Sequence, residues 1–424
     1  MEWPKRELPK LKLSPGAFRI LNYLYGTTVS RADISHALGF NPGTVTRAVN
    51  ELMAAGLIEQ LGPRASSGGR PAILLRVNPD YGYVIGVDIG GYTVKIGICN
   101  FAGEVVYHVK YPSRSFMPEQ LPELVTKVMA ERKGRCIGIG VGISGMVTEN
   151  GHTVFCPNLK GWDDLPITDM LAEATGRPVF LDTSARALAQ AETWFGSPNK
   201  ETDLIYVSVG YSIGAGILIS GRVFRGSTGF AGELGHITVT DDMPGLRCTC
   251  GNEGCLELIA PLGMIAYSTA QRLMKENGVY SPLRIQVSKL LPTDRPVEEQ
   301  NRALWLLLQE KPELIQNAAA QGDKIVLPVI GEVAYHLGVA VANMANLFSP
   351  RLVVLGGGTL AALPILVDEV MRVVRARTVS PIQKFMEVRP TALGETGPII
   401  GAGTLVFEQL LQRHNYPPTP PHES

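Results

Sequence analysis

A chain of 424 residues with 45% hydrophobic and 18% charged residues has the composition of an α/β protein, and it is too long for one core, so two or three domains are expected. Apolar runs such as LIYVSV are of strand length, short of the roughly eighteen residues of a membrane helix, and MEWPKRELPKLKL lacks the apolar core of a signal peptide, so a cytoplasmic location is expected. The charges cancel overall, with 39 basic and 39 acidic residues, but residues 1–78 hold ten Lys/Arg against five Asp/Glu, leaving 29 and 34 in the rest. A small basic module on an acidic body is the distribution of a nucleic-acid-binding head.

Residues 14–60 read as three helices, SPGAFRILNYLYG, RADISHALG and NPGTVTRAVNELMAAG. Ser14 before Pro15 is an N-cap signal, and Gly26, Gly39 and Gly56 stand where C-terminal caps belong. The second and third helices, joined by the short GFNP turn, have the layout of a helix-turn-helix. GLIEQLGPRASSGGRPAILLRVNP then reads as strand, loop and strand, the wing of a winged helix. Thr44, Thr46, Arg47 and Asn50 lie on the early polar turns of the third helix, where base and phosphate contacts are made. Arg70, within GGRP, is placed as a minor-groove arm would be.

Beyond Asn78 and Pro79 the pattern becomes period two. YVIGVDIGG and TVKIGICNFAGEVVYHV predict a hairpin meander, PEQLPELVTKVMAERKG a helix, and CIGIGVGIS a buried strand. A similar run starts at LIYVSVGYSIGAGILISGRVF, and two such halves suggest a duplicated α/β body with a cleft between lobes. The expected division is 1–79 for the head, 80–190 for a smaller lobe rejoined by 391–424, and 191–390 for a larger lobe. The Pro-rich tail HNYPPTPPHES is expected to be disordered.

Three of the six cysteines, Cys248, Cys250 and Cys255, fall within eight residues. In a reducing compartment such clustering points to metal. With His236 they complete a closed tetrahedral Cys3His set for a structural Zn²⁺. Cys99, Cys136 and Cys156 sit in apolar surroundings as core fillers.

GVDIGG at 86–91, GISGMV at 142–147, PNLKGW at 157–162, ELGH at 233–236 and CTCGNEGCLE at 248–257 resemble, in order and spacing, the motifs of the ROK family of sugar kinases and sugar-responsive transcription regulators. The resemblance implies a two-lobed actin-like ATPase/ribonuclease H-like sugar kinase fold behind an N-terminal winged helix-turn-helix, and a homodimer or higher oligomer. It implies sugar contacts from Glu233, His236 and Glu257, with Gly145 and Asn158 in loops lining the same pocket.

Phosphoryl transfer also needs a base and open phosphate loops. The family's kinases show Asp-x-Gly-Gly-Thr where this chain has Tyr92, and Gly-Thr-Gly-Ile-Gly where it has GYSIG with Tyr211 and Ser212. GGGT at 356–359 matches the nucleotide-side loop. In VFLDTSARALAQAE, 179–192, the family's Asn-Asp pair falls on Thr183 and Ser184, both expected to face the sugar. Asp182 lies two residues too early for the base and reads as a helix N-cap or first-turn acid. A serine hydroxyl is no general base near neutral pH. The expected function is therefore a sugar-responsive DNA-binding regulator, a repressor, with no enzymatic activity. An active carbohydrate kinase with an appended head is the alternative, and a scaffold with a dead pocket a weaker third.

Overall fold

The structure is a computed structural model that describes residues 8–63, 72–196, 201–242, 246–276, 278–290 and 296–411. It divides into two units: Met1–Leu204, Gly216–Ala231 and Ala392–Ser424 form unit 1, and Ile205–Ala215 and Gly232–Thr391 form unit 2. Arg70 and the Pro-rich tail lie outside the described residues.

The head comprises α1 (Pro15–Leu24), β1 (Val29–Ser30), α2 (Arg31–Leu38), α3 (Pro42–Ala54), β2 (Ile58–Pro63) and β3 (Ile73–Val77). Each helix starts on a side-chain cap. Ser14 accepts the Ala17 N–H at 3.3 Å, Ser30 and Asp33 cap each other reciprocally, and Asn41 accepts the Thr44 N–H at 2.8 Å. Gly26, Gly39 and Gly56 are all left-handed, as helix ends require. β2 and β3 pair antiparallel as a wing, and β1 adds on β3's other side.

The chain continues through β4 (Tyr83–Ile89), β5 (Thr93–Asn100), β6 (Val105–Pro112), α4 (Leu121–Ala130), β7 (Cys136–Ile143), the short pair β8 (Met146–Val147) and β9 (Thr153–Phe155), α5 (Ile167–Thr175), β10 (Val179–Thr183) and α6 (Ser184–Ala191). It then enters β11 (Leu204–Val209), β12 (Ile213–Ile219) and β13 (Arg222–Val223). Next come α7 (Leu262–Lys275), α8 (Pro282–Val287), α9 (Val297–Glu310), α10 (Glu313–Ala320) and α11 (Val326–Phe348). β14 (Leu352–Gly356), α12 (Gly358–Ala362), α13 (Pro364–Arg377), α14 (Ser380–Gln383), β15 (Glu387–Pro390) and α15 (Gly397–Leu411) complete it.

The two large sheets run β6-β5-β4-β7-β10 and β13-β12-β11-β14-β15. Numbered within each repeat, both orders are third, second, first, fourth, fifth. The duplication is therefore one of topology, and this α/β architecture is the one the motifs imply. α11 spans 23 residues and is apolar enough by composition to cross a membrane, which the reading of apolar runs missed because Glu332 and His336 break it up. It serves as a core helix of unit 2, with Val329, Val333, Leu337 and Val341 buried.

In unit 1 the sheet is covered on both faces. Leu121, Val125, Ile167 and Leu171 of α4 and α5 join one apolar cluster, while α15 joins a second. The repeated glycines of GVDIGG and CIGIGVGIS let α15 lie almost on the strands. A Cβ at Gly140 would fall 1.7 Å from the Ala402 carbonyl oxygen, and one at Gly86 2.1 Å from that of Ile399. The second cluster also contains the core of the head: Leu21, Leu24, Tyr25, Val49 and Leu75 share it with Phe101, Trp194, Phe407 and Leu410. The connection between head and body is fastened too. Asn78 Nδ2 donates to the Gly56 carbonyl at 2.8 Å and the Pro79 carbonyl accepts the Phe101 N–H at 3.2 Å.

Gly140→Val is expected to destabilise the protein by about 3 kcal/mol or more through overpacking against α15. Urea unfolding checks this, and an unchanged midpoint would contradict the close approach.

Candidate functional site

On α3, Val45, Ala48, Val49 and Leu52 face the core. Thr46, Arg47 and Asn50 are exposed on the opposite side, and Thr44 is half-buried at its edge. Three of the four DNA contacts expected on this helix thus share one solvent-facing stripe beginning at its capped N-terminus. The Thr46 hydroxyl is already engaged, donating to the Pro42 carbonyl at 2.8 Å.

The parallel strands β4, β7 and β10 of unit 1 end together, the usual place for a ligand in an α/β sheet. Here Asp88, buried at the end of β4, accepts a hydrogen bond from Ser184 Oγ at 2.7 Å. Burial raises the Asp88 carboxyl above its ordinary value, against the lowering effects of Ser184 and Lys95. Thr183 is the N-cap of α6, its hydroxyl accepting the Arg186 N–H at 3.3 Å. Gly145 lies in the β7–β8 turn, where a Cβ would meet Cys156 Sγ at 2.4 Å, and Asn158 is half-buried in the turn after β9.

Asp182 is neither an N-cap nor a first-turn acid, because Thr183 takes the cap and Asp182 lies within β10, one residue before its end, with its side chain buried. It is 1% exposed, and its carboxylate pairs with Arg186 at 3.3 Å and Arg225 at 2.6 Å. Arg186 also donates to the carbonyls of Gly229 and Ala231, each at 2.7 Å, so the cluster ties the 225–231 loop to α6. Burial works against the charge of Arg225, yet the facing Asp182 carboxylate raises its pKa overall. The sequence reading missed Asp88, Arg186 and Arg225. A lone carboxylate in the apolar run YVIGVDIGG was the available sign for the first, whereas nothing local joins Arg225 to Asp182.

In unit 2, Glu233 is half-buried beside the short turn Leu234–His236. Glu257 is almost fully buried and its Oε2 accepts the Ile213 N–H at 3.0 Å, which fixes the GYSIG loop. Thr359 of GGGT is 1% exposed; its hydroxyl donates to the Gly210 carbonyl at 2.9 Å and accepts the Leu262 N–H at 3.1 Å. That hydroxyl is committed to joining two glycine loops. Tyr92 in unit 1 and Tyr211 in unit 2 are both exposed.

The ligand atoms of His236, Cys248, Cys250 and Cys255 lie within 4.8 Å of one another. A tetrahedral Zn²⁺ requires separations of about 3.8 Å between thiolates and about 3.5 Å between thiolate and imidazole. Cys250 Sγ and Cys255 Sγ are 3.7 Å apart, and Cys248 Sγ is 3.5 Å from His236 Nδ1. The four residues therefore fit a tetrahedral cation. With Nδ1 facing the thiols, the His236 Nε2 is the ring nitrogen left for another partner.

Residues 84–409 match the ROK family and residues 11–68 the MarR family. The chain belongs to the ROK family. It is 32% identical over 401 residues to the xylose repressor of Caldicellulosiruptor bescii, covering 92% of this chain and 94% of that one. It is 30% identical over 335 residues to a glucokinase of Halalkalibacterium halodurans, covering 77% and 96%. Among solved structures, a ROK family transcriptional regulator described as a homologue of the E. coli MLC protein superposes with a TM-score of 0.69 at 26% identity, over 93% of this chain and 97% of the other. The repressor match spans head and body, whereas the glucokinase match covers less of the chain. Regulators and kinases of the ROK family thus both resemble this body.

Because Asp182 anchors the buried Arg186 and the half-buried Arg225, Asp182→Asn is expected to lower the unfolding free energy by about 3–5 kcal/mol, chiefly by leaving the buried Arg186 charge unpaired. Denaturant unfolding reads this directly, and a loss of under about 1 kcal/mol, as expected for an exposed ion pair, would contradict it.

Proposed function

We propose that this ROK protein is a sugar-responsive transcription regulator, acting as a repressor in the cytoplasm, whose body has lost phosphoryl transfer. The observation that carries the proposal is the pairing of Ser184 with Asp88. The hydroxyl at the expected base position is already spent as a donor to the buried Asp88 carboxyl, and Asp182, two residues earlier, is paired with two arginines. A carboxylate held between two guanidinium groups ties the structure together rather than being presented to a sugar hydroxyl. The exposed stripe on α3 supports DNA binding through Thr46, Arg47 and Asn50, with Thr44 at its edge and Arg70 as further proposed contacts.

Glu233, His236 and Glu257 are proposed as sugar contacts, with Gly145, Asn158, Thr183 and Ser184 as further candidates. Zn²⁺ held by His236, Cys248, Cys250 and Cys255 is structural, since four protein ligands leave no position for water. It orients His236 so that Nε2 can donate to a sugar hydroxyl. In a homodimer, a sugar that changes the spacing of two heads weakens binding to half-sites whose separation is fixed by the DNA helix.

Thermal unfolding with xylose, glucose, amino sugars and their phosphates, each with and without magnesium-ATP, tests the proposal. Binding to the folded state adds about 2.7 kcal/mol at a hundredfold excess over Kd. One sugar is expected to raise Tm while ATP does not and no ADP forms; a rise with ATP that grows with sugar would restore the kinase. Separately, one zinc per chain is expected by elemental analysis. A strong chelator, or Cys255→Ser, should lower Tm by several degrees, and unchanged melting with zinc removed would refute the metal's structural role.

A further inference from the structure

α6 joins the two functions just proposed. At its start stand Thr183, its cap, and Ser184, hydrogen-bonded to Asp88 at 2.7 Å. At its end the helix does not stop at Ala191 but runs into a wider i→i+5 turn, Glu192–Gly196. All residues from Ala185 to Trp194 are buried. At 1.5 Å per residue, Ser184 and Trp194 are about 15 Å apart along a single packed rod.

The head rests on the far end of that rod. The ring centroid of the buried Tyr25 is 4.9 Å from that of Trp194, 5.7 Å from Phe407, 5.8 Å from Phe101 and 6.3 Å from Phe195. Gly26 comes closer still: at φ +70°, a Cβ there would lie 2.2 Å from the Trp194 carbonyl oxygen. The end of α1 therefore touches the backbone of the wide turn itself.

A buried carboxylate sits inside the same turn. Glu192 is fully buried, its Oε1 accepts the Ala392 N–H at 3.3 Å, and a Cβ at Gly196 would lie 1.9 Å from its Oε2. The glycine leaves the space that this side chain occupies. An i→i+5 turn holds one residue more than an α-helical turn, and such turns recur at functional sites. Returning it to α-helical register would rotate the residues beyond it by about 100° and take Trp194 off Tyr25.

We propose that this turn is the coupling element of the regulator: occupancy at the Thr183–Ser184 end of α6 biases its register, and the register sets the seat of the DNA-binding head through Trp194 and Phe195 against Tyr25 and Gly26. The inference rests on the regulator reading above. The head–body connection itself is fastened by the hydrogen bonds of Asn78 and Pro79.

A continuous path is not itself coupling, which must be measured as a change in affinity. Full-length protein is titrated with an operator duplex selected from randomised DNA by the sugar-free protein. The titrations are run alone and with saturating D-xylose, D-glucose or N-acetyl-D-glucosamine, and sugar binding is measured in parallel. The variants are deletion of Thr193, which forces the α-helical register, and the milder Trp194→Phe and Tyr25→Leu, with Pro79→Gly loosening the head–body connection.

Wild type is expected to change operator affinity on the order of tenfold with one sugar. In the deletion, or in whichever of the milder variants folds, the sugar should still bind while that ratio falls towards one, and Pro79→Gly should keep it. A wild-type ratio preserved in the folded turn variants, or lost only in Pro79→Gly, would overturn the coupling element. A sugar that binds wild type without changing its operator affinity would sink the regulator reading itself, before any variant is made.

Discussion

Tyr25 closing on Trp194 is the contact on which the organisation of unit 1 depends, because it makes the winged helix and the α/β body one apolar core. Burying an aromatic ring removes a large apolar area from water and contributes on the order of 2 kcal/mol, beyond which edge-on ring pairs add a little more. Several such rings meet here, from α1, β5, the end of α6 and α15. A head attached in this way has no independent tumbling. Whatever displaces the C-terminal end of α6 displaces the surface that would read DNA.

The same sheet has the layout of a ligand site at its strand ends. Strand ends converge, the glycines that admit α15 are present, and Asp88 stands where a ligand would be approached. The polar groups of both units are engaged within the protein. Ser184 donates to Asp88, Asp182 is held by Arg186 and Arg225, and Thr359 joins two loops of unit 2. Each of these groups is engaged by other groups of the protein. Such a buried network rigidifies its surroundings.

Much of this was legible in the chain. Ser14-Pro15, the three glycines ending the head helices and the period-two strands are local signals, and the structure follows them. The ELGH and CxCGxxGCxE segments brought His236 and three cysteines within ligand distance, because tight glycine turns leave little freedom to the thiols. Asp182 was misread because local spacing cannot see Arg225, 43 residues away, whereas capping by the adjacent Thr183 is equally compatible with the sequence. The seat of the head was invisible for the same reason, as Tyr25, Phe101, Trp194 and Phe407 come from four distant segments. The wide turn at Glu192–Gly196 carries no distinctive composition, since AETWFG would continue an α-helix equally well.

The central claim is that sugar and DNA are read by one thermodynamic system, and linkage makes it measurable from either side. The most direct measurement is the sugar dissociation constant of the full-length protein, by calorimetry, with and without saturating operator duplex, set beside the operator constant with and without sugar. The account predicts that the two ratios are equal and differ clearly from one, with no ADP formed when magnesium-ATP is added. Ratios of one, together with steady ADP release, would contradict it and make the body a working kinase with a passive head.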